Sequence, residues 1–351
     1  MINTDAKLQA YLPTLRRAEW IALDTEADSL HAYPERLCLM QLCTAAGDEL
    51  LDPLAGLDLA PFFAAVSGHA LIMHAADYDL RLLRKHHAFV PGAIFDTMLA
   101  ARLLGVRQFG LGSLVEERLG IKLEKSSQKA NWARRPLTPK MEHYARDDVR
   151  HLKPLADQLK ADLEAKGRLA WHREWCDRLI ADSASFGEND PERVWRVKGT
   201  AALPPQGQAV VRELWHWRER EALAAGKPPF FVLSHAVLTG IGAAVAEGKD
   251  FEPLVPRHVS DRRRRGIAEA VGRAVALPES AWPRNLVQRS RRPSEAEKRR
   301  YSQLERRRDS RARELDLDPT LIASRADLWE LARDWETTSQ RLMRWQRELL
   351  A

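Results

Sequence analysis

Carboxylates in three short motifs of the N-terminal half could together hold divalent cations. Asp24 and Glu26 are two residues apart, whereas Asp79 and Asp148 lie in motifs of their own further along the chain. Hard cations such as Mg²⁺ take oxygen ligands, and a pair of such ions can activate a water molecule and stabilise the scissile phosphate of a nucleic acid. This chemistry requires carboxylates that converge in space although they are distant in sequence.

The local sequence predicts which kind of element carries each acid. Asp24 and Glu26 end a short apolar run that we interpret as a buried strand, so both side chains point to one face. Two such carboxylates repel each other unless a cation lies between them. Asp79 falls at a helix start, and Tyr144 and Asp148 are four residues apart in a helical pattern and share a face. Each motif alone also fits an ordinary surface acid, and only the set is specific.

Strand and helix patterns alternate around these motifs. Short apolar runs predict strands at 20–25, 36–43, 49–53, 70–74 and 93–96. Helical spacing is found at 57–67, 79–86, 97–104, 111–119 and 139–164. Three early strands, followed by strands that alternate with helices, predict an α/β domain with a mixed sheet covered by helices.

The C-terminal half has a different pattern and a different charge. Turn-forming residues at 183–191 predict a linker, and beyond it 209–225, 230–246 and a last segment containing 318–324 are helical, with no strand alternation. Residues 1–190 hold 24 Lys and Arg against 27 Asp and Glu, whereas residues 191–351 hold 31 against 22. An acidic half joined to a basic half suggests a cation site and a polyanion-binding surface. Solvated arginine-rich helices are the alternative.

Composition limits the class of protein. The 351 residues are 45% hydrophobic and 30% charged, which is typical of a folded globular chain. No run approaches the roughly 18–20 apolar residues of a membrane helix, and the first residues lack the pattern of a signal peptide. The three cysteines fit neither a metal finger nor a disulfide framework. We therefore expect a cytoplasmic protein without a membrane partner.

The acidic motifs, taken together, resemble those of the DEDD exonucleases. The tyrosine four residues before the last aspartate is typical of the DEDDy branch, and the ribonuclease D family is the closer resemblance. It rests on motifs spread over nearly the whole chain: Ala22-Leu23-Asp24-Thr25-Glu26, Tyr33-Pro34, Arg36-Leu37-Cys38-Leu39-Met40-Gln41-Leu42, His74-Ala75, Asp79-Leu80, Leu123-Glu124-Lys125-Ser126, Trp132, Arg135-Pro136-Leu137-Thr138, Tyr144 and Asp148-Val149. This resemblance implies a ribonuclease H-like N-terminal fold.

The helical half resembles the same family. Trp217-Arg218 and Pro228-Pro229-Phe230-Phe231-Val232 are similar to an HRDC domain, and the run 315–325 is similar to a second, divergent HRDC-like domain. We therefore expect an exonuclease domain at 1–185, an HRDC domain at 192–280 and a second helical domain at 290–351.

The resemblance implies a role for each acid and a metal-dependent reaction. Asp24 would bridge two Mg²⁺ or Mn²⁺ ions, Glu26 and Asp148 would complete the shell of one, and Asp79 would hold the water shell of the other. Tyr144 would position the attacking water by hydrogen bonding. The product would be a 5′-mononucleotide released from the 3′ end of RNA, and no organic cofactor is implied.

Asp147 directly precedes Asp148, where the family often has a small residue. We assign the ligand role to Asp148, because it is the aspartate that lies four residues after Tyr144. Asp147 would lie about 100° away around the helix.

Several residues near these motifs are candidates for contact with the RNA strand. They are Thr25, Lys125, Trp132 and Arg135, of which the basic residues would meet phosphates and the aromatic ring a base. A tryptophan packed in the core is the alternative for Trp132, and we favour it. The arginine runs 262–265 and 306–308 are either solvated helix faces or further RNA contacts.

The sequence thus predicts a monomeric 3′→5′ exoribonuclease that trims 3′ trailers of precursor tRNA and other small structured RNAs. The alternatives are a DNA exonuclease with repair duties, a catalytically silent RNA-binding scaffold, and an accessory module of a helicase. The chain is not itself a helicase motor, because it contains no G-x-x-x-x-G-K-[ST] phosphate loop.

Overall fold

The computed structural model describes residues 1–124, 127–184, 190–283 and 292–351. The chain forms two compact units. The described residues of the first unit are 1–27, 37–184 and 292–351, and those of the second are 28–36 and 190–283. In this described part of the chain, no helix is long and apolar enough to cross a membrane.

The first unit is built on a five-stranded mixed sheet. Its strands are β1 (Ile21–Ala27), β2 (Leu37–Thr44), β3 (Gly47–Leu51), β4 (Ala70–Met73) and β5 (Ala93–Asp96). They lie in the order β3-β2-β1-β4-β5. The pairs β1/β2 and β2/β3 are antiparallel, whereas β1/β4 and β4/β5 are parallel. Strand β1 is therefore central, and its side chains are covered on both faces.

Helices cover both faces of this sheet. They are α1 (Asp5–Arg17), α2 (Ala60–Val66), α3 (Asp77–His87), α4 (Thr97–Leu103), α5 (Leu111–Leu119), α6 (Pro139–Arg150), α7 (Leu152–Ala165) and α8 (Leu169–Ala184). Alternation of side chains along β1 explains the two layers. Ile21 and Leu23 pack in the large core with α1, α2 and α3, while Ala22 packs against Val149 of α6 on the other face.

Residues 292–351 belong to the same unit. They form α13 (Glu295–Glu314), α14 (Pro319–Ile322), α15 (Arg325–Arg333), α16 (Trp335–Thr338) and α17 (Arg344–Leu350). Their buried side chains, among them Leu328 and Trp345, share one hydrophobic core with Leu103 of α4, Leu114 of α5 and Leu159 of α7. This helical segment therefore completes the core of the unit that carries the acidic motifs.

The second unit has a core of its own. Its helices are α9 (Pro205–Ala225), α10 (Pro229–Val232), α11 (His235–Ala246) and α12 (Asp261–Val275). Leu214 and Trp217 of α9 meet Ile241 of α11 and Ile267 of α12. Helix α9 is central because both α11 and α12 pack along it.

The predicted fold class is confirmed, and all five strands fall where the apolar runs placed them. The helices differ from the prediction in two ways. The helical pattern at 139–164 is interrupted at His151, where the chain ends α6 and begins α7. Helices α1 and α8 were not predicted, although both have buried side chains, among them Leu8 and Leu12 of α1 and Cys176 of α8. Most of the predicted linker 183–191 lies outside the described residues.

Candidate active site

Strand β1 presents two of the four acids on the face of the sheet that α6 covers. Asp24 and Glu26 follow Ala22 at intervals of two, so they lie on the same face as Ala22. Helix α6 packs on β1, β2 and β3 on that face. The two carboxylates consequently point into the space between the sheet and α6.

Helix α6 supplies the third acid and the tyrosine. The helix starts at Pro139, with the Thr138 hydroxyl accepting a hydrogen bond of 3.2 Å from the amide of Met141. Ala145 and Val149 are fully buried against the sheet. Because Tyr144 and Asp148 lie one turn apart, they project together along one side of α6, and the Tyr144 hydroxyl donates a hydrogen bond to the Asp148 carboxylate.

Three carboxylates converge at this point. One oxygen each from Asp24, Glu26 and Asp148 lies within 4.8 Å of the other two. Asp79 is buried in the first turn of α3, and its carboxylate accepts a hydrogen bond from the Thr25 hydroxyl. The structure therefore brings together three of the predicted acids as one ligand group. The fourth, Asp79, is bonded to Thr25, the residue between Asp24 and Glu26 on β1.

A buried aspartate that the sequence analysis missed shapes the turn leading to Asp79. Asp96 caps α4 by accepting from the amides of Met98 and Leu99, and it also accepts from the amides of Ala75 at 3.2 Å and Ala76 at 2.8 Å. Ala75 has a φ of 56°, in the left-handed region. Its cost for an alanine is offset by these hydrogen bonds, which hold the entry to α3 in place. The signal in the sequence was an aspartate directly before a helical run.

The four carboxylates raise one another's pKa values in the absence of a cation. Burial, together with the charges of the other three acids, raises the pKa of Asp24 well above its usual range. Burial and the charges of Asp148 and Asp79 raise the pKa of Glu26 to about 9. Burial also raises the pKa of Asp79 and of Asp148 to about 7 each, against the opposing hydrogen bonds from Thr25 and Tyr144. A divalent cation would relieve this repulsion.

The residues present fit a divalent metal ion. The ligand group contains only carboxylate oxygens, which hard cations prefer over nitrogen or sulfur. The nearest histidine of the site, His74, is bonded through Nδ1 to the Thr97 hydroxyl at 2.9 Å. Burial lowers the pKa of His74, so at neutral pH it adds no positive charge to the cluster. The site therefore has the composition of a divalent-cation site.

The ring of Trp132 is not available to an RNA base, which corrects one candidate contact. Trp132 is fully buried in a small core with Cys38, Leu50 and Met141. Its ring lies 6.0 Å from that of Tyr144, centroid to centroid. Trp132 is thus packed in the core, as the alternative predicted, and its ring lies beside that of Tyr144.

Arg135 is likewise engaged within the protein. Its guanidinium bonds both carboxylate oxygens of Asp52 at 2.6 Å each, and the carbonyl oxygens of Trp132, Arg134 and Cys38 at 2.7–2.9 Å. These bonds use all five donors of the side chain, so the predicted phosphate contact is not supported. Lys125 lies outside the described residues, and the Thr25 hydroxyl is directed to Asp79.

Asp147 lies on a different side of α6 from Asp148, about 100° around the helix. Its carboxylate lies 3.3 Å from Arg150 and 3.2 Å from the ring nitrogen of His143. It does not belong to the group of converging ligand oxygens among the described residues. The assignment of the ligand role to Asp148 over Asp147 agrees with this placement.

The arginine runs are partly used in internal contacts. In the second unit, Arg262 and Arg263 both pair with Glu221. In the first unit, Arg307 bonds the carbonyl oxygen of Leu350, and Arg308 bonds that of Ala323. These side chains thus link neighbouring helices within each unit.

Asp24, Glu26 and Asp148 line a cavity of about 520 Å³. The sequence analysis did not identify the other wall of this cavity. Phe109, Gly110 and Leu111 line it at the start of α5. The Phe109 ring is 37% exposed and lies 5.4 Å from the Arg102 guanidinium. The run of glycines around an aromatic residue at 105–112 was the available signal. This wall offers an aromatic face and backbone amides opposite the carboxylates.

Comparisons with known proteins agree with this fold. A family model described as 3′-5′ exonuclease matches residues 1–164, and an HRDC domain model matches residues 207–245. The chain thus combines a 3′→5′ exonuclease domain of the metal-dependent class with a helical HRDC domain.

Its relatives define the family. Ribonuclease D of Pseudomonas paraeruginosa is 33% identical over 292 residues, which cover 81% of this chain and 77% of the relative. Ribonuclease D of Gluconacetobacter diazotrophicus is 32% identical, covering 99% of this chain and 89% of the relative. The structure of Escherichia coli RNase D superposes with a TM-score of 0.77 at 25% identity, covering 100% of this chain and 98% of that one. The chain belongs to the ribonuclease D family and is a 3′→5′ exoribonuclease.

Proposed function

We propose that Asp24, Glu26, Asp79 and Asp148 hold two divalent ions, Mg²⁺ or Mn²⁺, for RNA hydrolysis. The observation that carries this proposal is the convergence of carboxylate oxygens from Asp24, Glu26 and Asp148 within 4.8 Å of one another. Asp24 would be the acid common to both ion sites, because the charges of Asp79, Asp148 and Glu26 all act on its carboxylate. When bound, such ions polarise the scissile phosphate and activate water.

Tyr144 acts in this proposal as a hydrogen-bond donor. Burial and the charges of Asp148, Glu26 and Asp24 raise the pKa of its hydroxyl above the ordinary value of 10. The hydroxyl therefore stays protonated at neutral pH and cannot serve as a base. It can hold the Asp148 carboxylate in orientation or donate to a water or phosphate oxygen, and Trp132 keeps its ring in place.

The wall at 109–111 is suited to the 3′-terminal nucleotide. The exposed face of Phe109 can stack on a base, and the amides at the start of α5 can donate to a sugar or phosphate oxygen. Cleavage between this nucleotide and its neighbour releases a 5′-mononucleotide. The acids alone would not favour the end of an RNA chain over its interior. The support for attack at an end is that residues 109–111 line the same cavity and can hold a terminal nucleotide.

We propose precursor tRNA and other small structured RNAs with 3′ extensions as substrates, acted on in the cytoplasm by a monomer. The relative from Escherichia coli is described as an exoribonuclease involved in structured RNA processing, which supports this choice. The basic C-terminal half, with 31 Lys and Arg against 22 Asp and Glu, supports binding of a polyanion.

A single comparison tests the proposal. The protein is incubated with a 3′-extended tRNA, its mature form and a DNA of matched sequence, in Mg²⁺, in Mn²⁺ and in EDTA. We expect metal-dependent release of 5′-mononucleotides from the extension that stops near the mature end, with the Asp24→Asn variant as the inactive control. Equal trimming of the DNA, or products longer than one nucleotide, would contradict the proposal. Light scattering of the same preparation gives the oligomeric state.

A further inference from the structure

Gln41 is a buried amide without a hydrogen-bond partner, directly beside the acids. It lies in the middle of β2, and its side chain has no solvent exposure. Neither its amide nitrogen nor its amide oxygen has a partner among the described residues. Buried polar groups are almost always paired, and leaving one unpaired costs folding free energy. An amide with both ends unpaired therefore calls for a functional explanation.

The strand register places this amide next to Asp24. Gln41 of β2 is directly opposite Asp24 of β1 in the antiparallel pair. Opposite residues point to the same face, with Cβ atoms about 4.5–5.5 Å apart. On its other side Gln41 is opposite Leu50 of β3, an apolar residue of the small core. Asp24 is thus the polar one of the two side chains that flank Gln41 across the sheet.

Helix α6 covers the face of the sheet on which Gln41 lies. Ala145 and Val149 are fully buried where α6 packs on β2, on the same face as Gln41. The amide is consequently confined between the sheet and the helix that carries Asp148. A small movement of the Gln41 side chain toward Asp24 would bring its amide to a charged acceptor.

We propose that Gln41 is a positioning residue for Asp24: its amide donates to the Asp24 carboxylate when this carboxylate binds a metal ion. A metal ligand usually has one oxygen on the ion and another held by a hydrogen bond, and such outer contacts fix the ligand's orientation. Gln41 supplies a neutral donor, which orients the carboxylate without competing with the cation for its charge. The inference rests on the proposed function, since it requires Asp24 to be a ligand.

The test uses Gln41→Leu and Gln41→Met, which keep the volume and remove the amide. We expect both variants to melt at the same temperature as the wild type, or higher, in EDTA, because an unpaired buried amide is lost. We also expect the Mg²⁺ concentration at the midpoint of the metal-induced rise in melting temperature to increase about 10–100-fold. Turnover should fall at low Mg²⁺ and recover in part when Mg²⁺ is raised.

Gln208 provides the matched control. It is a fully buried glutamine of the second unit with both ends bonded, to the Leu203 carbonyl at 2.9 Å and to Arg196 at 2.7 Å. Gln208→Leu should lower the melting temperature in EDTA and leave the Mg²⁺ midpoint unchanged. The two glutamines should therefore respond in opposite ways.

The outcomes separate the possible explanations. An unchanged Mg²⁺ midpoint in the Gln41 variants, or a lower melting temperature in EDTA for both of them, overturns the inference and makes Gln41 a structural residue. If only one variant loses stability, the midpoint of the other decides. If Asp24→Asn itself leaves the metal-induced rise intact, the proposed metal site has failed and not merely the role of Gln41.

Discussion

The two sides of helix α6 carry the same kinds of residue in opposite arrangements. On one side, Asp148 meets two other carboxylates, and the charges of Asp147 and Asp79 add to the effect of burial in raising its pKa. On the other side, Arg146 and Arg150 both bond Asp48, and Arg150 also pairs with Asp147. One helix thus separates a cluster of carboxylates from a network in which arginines compensate the carboxylate charges.

The pKa values show what this difference means. Burial raises the pKa of Asp48, but the hydrogen bonds from Arg150 and Arg146 outweigh it and lower the pKa overall. Burial raises the pKa of Asp148 to about 7, even against the opposing hydrogen bond from Tyr144. A carboxylate paired with arginine stabilises the fold, whereas a buried carboxylate among other carboxylates stores a repulsion that a cation can remove. The contrast leads to four predictions.

The largest effect is expected for Asp24, the acid shared between the proposed ions. Asp24→Asn should reduce single-turnover cleavage at least about a thousandfold, or ~4 kcal/mol in the barrier, because the amide cannot replace a charged ligand. Its melting temperature in EDTA should not fall, since the substitution removes repulsion. Turnover within tenfold of wild type would contradict the role assigned to Asp24.

The neighbouring aspartates of α6 should differ strongly. Asp148→Asn removes a converging ligand and should lower cleavage by about a hundredfold or more, or ~2.7 kcal/mol. Asp147→Asn should change cleavage by less than about threefold, because its exposed pairs with Arg150 and His143 contribute little. Both are measured in single-turnover assays with one RNA. The reverse ranking would show that the two sides of the helix have been confused.

The stability of the metal-free protein should depend on pH through the acidic cluster. Asp79 and Asp148 have folded-state pKa values of about 7, above their ordinary value of 3.8. Their protonation therefore stabilises the fold fully below about pH 3.8, and this stabilisation is lost as the pH rises through 7. In EDTA, the free energy of unfolding should be greater at pH 6 than at pH 8 by about 2–3 kcal/mol from these two groups together.

Urea unfolding at both pH values measures this difference. The double variant Asp79→Asn/Asp148→Asn is the control, since it lacks both titrating groups and should show a smaller difference. Saturating Mg²⁺ should also reduce the difference, because an ion replaces the protons. A wild-type protein that is more stable at pH 8 than at pH 6 in EDTA, relative to the control, would disprove the charge arrangement.

The smallest effect is expected on the compensated side of α6. Asp48→Asn should lower the free energy of unfolding by about 1 kcal/mol, because it weakens bonds to two arginines at a partly exposed site. The Mg²⁺ midpoint should not change. A shifted midpoint with unchanged stability would mean that the network acts on the metal site and does not merely support the helix.

Much of the fold and of the site could be predicted because the signals are local. The apolar runs located all five strands, and the period of two put Asp24 and Glu26 on one face. The four-residue spacing selected Asp148 for the same side of the helix as Tyr144. These relations depend only on the geometry of a strand and of a helix.

Other features depend on contacts between segments that are distant in sequence. Trp132 and Arg135 were candidate RNA contacts, with packing favoured for Trp132. In the structure the Trp132 ring packs beside Tyr144, and the Arg135 guanidinium binds Asp52. No local pattern states which side of a loop faces the protein. The burial of α1 likewise depends on its packing in one core with strand residues.

The sequence by itself determined which side chains could bind metal and on which kind of element each lies. Only the tertiary structure decided that three of these carboxylates converge, that Asp96 holds the turn before Asp79, and that Gln41 is buried opposite Asp24. The physical reason is that periodicity describes a single element, whereas convergence and burial arise from the pairing of β1 with β2 and the packing of α6 on both.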